Sequence, residues 1–95
     1  MKLVVTEEAA AWYKSEMGLK EGDYLRFFVQ IYGQHQVHPN YSVGVARQVP
    51  RRMVAHALVG GITFYVEEQD EWFIREHELS VRMRQGEVEM ELTPA

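Results

Sequence analysis

The chain predicts an α+β fold made mainly of β-structure, on three observations. Apolar residues recur at helical spacing in one long stretch near the N-terminus. Alternating apolar runs of strand length fill most of the remainder. Two gaps between those runs are two-residue turns, Gly60-Gly61 and Gln85-Gly86. The expected layering is two packed sheets or a partly closed barrel, with one N-terminal helix and one short later helical turn. Nothing divides the 95 residues, so 1–95 is read as a single domain.

Lys2–Val5 is a short Val-rich strand ending at Thr6. Thr6 suits a helix N-cap, and Glu7 and Glu8 then face the positive end of the helix dipole. Ala9, Trp12, Tyr13 and Met17 share a face, which makes Glu7–Met17 an amphipathic helix. Gly18 supplies a left-handed terminus, with Leu19 packing back on the last turn. In Tyr24–Ile31, Leu25, Phe27, Val29 and Ile31 take one side, while Arg26 and Gln30 take the other. Phe28 shares the side of Arg26, so that face is expected to be partly covered.

Tyr41–Ala46 is the next strand, and Gln48–Arg52, with Pro50, is a connection. Met53–Val59 and Ile62–Glu67 form a hairpin about Gly60-Gly61, setting Val59 against Ile62, Ala57 against Phe64 and His56 against Tyr65. After a turn at Glu68–Asp70, Asp70 is expected to cap a helical turn, Glu71–Arg75, that places Trp72 and Phe73 in the core. Leu79–Arg84 and Glu87–Leu92 make a second hairpin. Its dry face holds Leu79, Val81 and Met83, and its wet face pairs Arg84 with Glu87 and Arg82 with Glu89. Thr93–Ala95 reads as a loose end.

The net charge of −4 argues against nucleic-acid or anionic-membrane binding, since both need a basic face and Arg51-Arg52 is the only basic pair. With no cysteine, disulfides, thiolate catalysis and cysteine-ligated clusters are excluded within the chain. The opening MKLVVTEEAA is too short in apolar residues for a signal-peptide core or a bilayer span, so the expected location is cytoplasmic. No nucleophile elbow, phosphate-binding glycine loop, dinucleotide fingerprint or zinc-protease motif appears, and the expectation is that the chain is not an enzyme.

His35-x-x-His38, between two apolar runs, is the sharpest chemical feature. Two imidazoles in one loop can converge on iron or zinc, with Asp23, His56 or His77 as candidates to complete the shell. The alternative is a solvated polar loop, because a stable metal centre needs three or four ligands. His56, in an apolar strand, is expected to be at least half-buried and bonded to a neighbour. His77 is expected at an exposed turn, where Glu76 and Glu78 favour its charged form. The run from Glu67 to Glu71 reads as a solvated acidic patch.

The succession LVVTEEAAAWYKSE, EGDYLRFFVQIYGQH, YSVGVA, GGITFYVEEQD, HELSVRM and GEVEMEL resembles the HesB-like domain of the A-type iron–sulfur carriers. It is most similar to the small, cysteine-poor YneR-type branch. The resemblance implies a compact β-rich fold with a helix after the first strand. Carriers hold a cluster with a Gly-Gly-Cys after the second strand and a C-terminal Cys-Gly-Cys. Here Gly33-Gln34-His35 stands at the first place and nothing at the second, so an iron–sulfur cluster is disfavoured. By resemblance the chain belongs near iron–sulfur cluster assembly, with His35 and His38 as candidate ligands for a weakly held divalent metal. The alternative is a cysteine-free module that binds a protein or a small molecule and no metal. The sequence names neither a protein partner nor an oligomeric state.

Overall fold

The side chain of Thr6 joins the first two elements of the computed structural model, which describes residues 2–32 and 40–94, with backbone alone at 31, 32, 40 and 41. The Thr6 hydroxyl accepts the Ala9 N–H at 3.1 Å, capping α1 (Glu7–Met17) directly after β1 (Lys2–Val5). Glu7 and Glu8 occupy the first helical turn, as expected of a favourable dipole contact. The helix ends at Gly18, φ +62, and the Leu19 N–H donates to the Lys14 carbonyl at 3.0 Å. Leu19 itself is buried, which completes the expected Schellman terminus.

Among the described residues seven strands form two sheets with no closed barrel. Beyond β1 they are β2 (Tyr24–Tyr32), β3 (Asn40–Ala46), β4 (Met53–Val59), β5 (Ile62–Glu67), β6 (His77–Arg84) and β7 (Glu87–Pro94). A 3₁₀ turn, Glu68–Asp70, and a short helix α2 (Glu71–Ile74) join β5 to β6. One sheet runs β1-β6-β7 with β1 parallel to β6, and the other β3-β2-β5-β4 with β2 parallel to β5. The two hairpins have the expected registers, including His56 opposite Tyr65 and Arg82 opposite Glu89. All four turn residues have positive φ (Gly60 +60, Gly61 +81, Gln85 +52, Gly86 +80), the backbone that matches strand twist in a two-residue hairpin.

The core lies between the inner sheet faces and under α1. Phe27 and Phe64 stack 6.0 Å apart at its centre, joined by Leu25, Ile62, Val66, Leu79 and Val81, with Ala9, Ala10 and Tyr13 from the helix. The outer face of β6–β7 is wet, as expected, and Arg82 bridges Glu89 at 2.7 Å and Glu91 at 3.2 Å.

The outer face of the larger sheet departs from expectation. Arg26 is only 9% exposed, and its guanidinium pairs with Asp70 at 3.1 Å and donates to the Gln48 side chain at 3.2 Å. Asp70, 5% exposed, therefore makes no side-chain cap on α2. A buried charge needs an opposite charge more than a helix end needs a cap. Glu67 is also buried, and its carboxylate accepts the Arg51 and Arg52 N–H groups at 2.8 and 3.1 Å. Two of the five residues in the expected solvated patch are thus internal. Phe28, expected to be partly covered, lies half-buried with its ring over Gly44.

Other expectations are corrected at the edges. Trp72 is 58% exposed and lies outside the core. His56 is exposed, because its position on β4 faces away from the inner layer. His77 begins β6 half-buried, its ring stacked on Phe73 at 5.9 Å and its Nδ1 3.0 Å from the Phe73 carbonyl. The loose end is strand as far as Pro94: Thr93 pairs with Glu78 and Pro94 with His77. A proline is tolerated there because it closes an edge strand and owes no further donor.

Candidate functional site

Helix α1 lies across one open flank of the two-sheet core. Tyr13 is buried, meeting Phe27 at 6.0 Å and Phe64 at 6.1 Å, and Trp12 stands edge-on to it at 5.1 Å and 83°. Beside them, the inner face of β3 presents Val43 and Val45, and that of β7 presents Val88 and Met90. Together with Glu16, Met17 and Gly44 these residues enclose an open groove of about 750 Å³. Both strands end their sheets, so among the described residues no further strand covers either side. Arg47, just after β3, holds the walls together: one guanidinium nitrogen reaches the Met17 carbonyl and the other Asp23, each at 3.4 Å.

The groove is mainly apolar, and Glu16 is its one charged lining residue. Burial pushes the Tyr13 phenol up to about 12, so it is neutral at ordinary pH and offers no base there. What the groove can do is take up apolar side chains. It has no nucleophile–base pair and no converging set of polar groups.

The buried polar cluster on the opposite sheet face is occupied with itself. Asp70 and Gln48 hold Arg26, the Tyr65 hydroxyl donates to the Gln48 carbonyl, and Glu67 anchors the backbone at 51–52. The Tyr65 phenol is raised by burial and by Glu67, against a lowering pull from Arg26. These contacts clasp the 47–52 connection and the 3₁₀ turn to the sheet.

His35 and His38, the metal ligands expected from sequence, lie outside the described residues. The residues considered for completing their shell are not brought together: His56 sits on β4 and His77 on β6, in different sheets, and Asp23 is engaged by Arg47 and by the Lys20 N–H. Among the described residues no group of three or more His, Cys, Asp or Glu could hold a metal ion. The thiolate set that the carrier fold uses for a cluster is missing from the whole chain, so these residues do not fit such a cluster. The sequence does not single out the groove. Val43, Val45, Val88 and Met90 are apolar at strand spacing, which reads as core. The available signal is that two inward-facing strands both end their sheets, and this needs the topology.

Among the described residues no helix is long and apolar enough to cross a membrane. No family model matches the chain. It is 41% identical over 81 residues, 85% of each chain, to a Bacillus subtilis protein named pyruvate dehydrogenase inhibitor. It is 30% identical over 91 residues to an uncharacterized protein of Staphylococcus saprophyticus, covering 90% of this chain and 91% of that one. Among solved structures it is similar to Escherichia coli SufA, described as involved in biosynthesis of iron–sulfur clusters. There the TM-score is 0.58 with 17% identity, over 98% of this chain and 80% of that one, a likeness of fold. With the order of elements, the two-sheet topology and these relatives in agreement, the chain belongs to the HesB-like family, in its small YneR-type branch.

Proposed function

We propose that this chain is a protein-binding regulator that restrains pyruvate dehydrogenase by docking through the groove of α1, β3 and β7. The observation that carries this reading is the groove itself: an open, apolar recess of about 750 Å³ on a small domain. An apolar recess open to water can bury the apolar side chains of a partner. The enzyme comes from the name of the Bacillus subtilis relative, 41% identical over 85% of both chains. A role in iron–sulfur cluster assembly has only the likeness to SufA in its favour, and the chain lacks the thiolates for it.

The test is to titrate the purified chain into purified pyruvate dehydrogenase and follow turnover, with and without a metal chelator. Saturable inhibition, unchanged by chelator, is expected. Full turnover at every concentration of the chain would overturn the reading. Inhibition lost on chelation, and lost also in a His35→Ala, His38→Ala double variant, would move the function to the histidine loop and its iron or zinc.

A further inference from the structure

Gly44 shows how the β3 side of the groove is built. A Cβ added there would lie 2.5 Å from Cζ of Phe28, on the opposite face of the sheet, so Gly44 contributes backbone to the groove lining. Among the described residues β3 is the last strand of its sheet, and its outward N–H and C=O groups have no strand partner there. An extended segment can therefore pair with this edge while sending alternate side chains inward. Val43–Val45 and Val88–Met90 each span only about 7 Å of strand, enough for two or three side chains of the incoming segment. A small-molecule site would instead bring several polar groups to one point, and Glu16 is the one charged residue of the lining.

Charge narrows the choice further. Glu16 is exposed, lies at the lip and makes no ion pair among the described residues. Glu87 and Glu89 of β7 lie on the opposite, wet face, where Arg82 and Arg84 take up Glu89, so Glu16 is the charged residue of the groove on a chain that carries −4 overall. We infer that the groove receives an extended apolar segment of a partner protein that pairs along the free edge of β3 and sets a lysine or arginine against Glu16. This rests on the protein-binding reading above and specifies the segment that docks.

The probes are two synthetic peptides with the same valine-rich centre, one flanked by lysines and one by glutamates. Binding is read by fluorescence anisotropy, and amide hydrogen exchange is followed on the chain. The lysine peptide is expected to bind about three- to tenfold tighter, and Glu16→Lys, a surface change, to reverse the order. Its binding is expected to slow exchange at residues 42–46. Equal affinities, an order unchanged in Glu16→Lys, or protection away from 42–46 would overturn the inference. Inhibition of pyruvate dehydrogenase without any peptide preference removes the segment alone. Peptide preference without inhibition removes the enzyme alone.

Discussion

Arg26 and Asp70 stand 44 positions apart and depend on each other. Both are nearly out of water, and the Arg26 Nε is buried without a hydrogen-bond partner, so the guanidinium relies on Asp70 and Gln48 for its compensation. Asp70→Ala leaves a buried cation unpaired and is expected to cost about 3–5 kcal/mol in denaturant unfolding, whereas Arg26→Met with Asp70→Leu should recover most of that loss. Tyr13 adds a pH dependence. Its pKa is about 12 folded against 10 unfolded, so the folded state holds the proton longer. The stabilisation is complete below pH 10 and is lost as pH rises from 10 towards 12, by about 2–3 kcal/mol in all. Tyr13→Phe should flatten that stretch of the stability curve. The Arg26–Asp70 pair is not legible in sequence. Arg26 obeys the alternation of a wet strand face, and Asp70 stands where a helix cap belongs, because local pattern carries no word of a partner 44 residues away.

At the scale of elements the sequence is far more informative, since hairpins are local. Two short turns with Gly in the second place set the registers of β4–β5 and β6–β7, and the helix carries its own cap at Thr6 and its own stop at Gly18. Strand ends are less legible: β7 runs on to Pro94 because β6 begins at His77 and offers a partner edge. The second hairpin turn also contains a local misfit, since Gln85 takes φ +52 with a side chain that disfavours it. Gln85→Asn is expected to stabilise the domain by about 0.5 kcal/mol, raising Tm by a few degrees, because asparagine tolerates the left-handed region better. Gly61→Ala should lower Tm, since its φ is +81 and its Cβ would press on Glu21.

For the molecule as a whole, the topology places ordinary apolar strands around a groove. Among the described residues β3 and β7 end their sheets, and with α1 they line the recess proposed above as the docking site. The fold is that of SufA while the chain has no cysteine, and surface recognition is the function proposed above. The two tryptophans offer a direct comparison. Trp12 lines the groove and Trp72, in α2, does not. Inhibition curves of purified pyruvate dehydrogenase should be recorded with the wild-type chain, Trp12→Ala and Trp72→Ala, each checked for folding by circular dichroism. Docking through the groove predicts that Trp12→Ala weakens inhibition by about tenfold or more, as loss of an aromatic anchor does, and that Trp72→Ala leaves it unchanged. Equal inhibition by all of them, or a loss confined to Trp72→Ala, would contradict it.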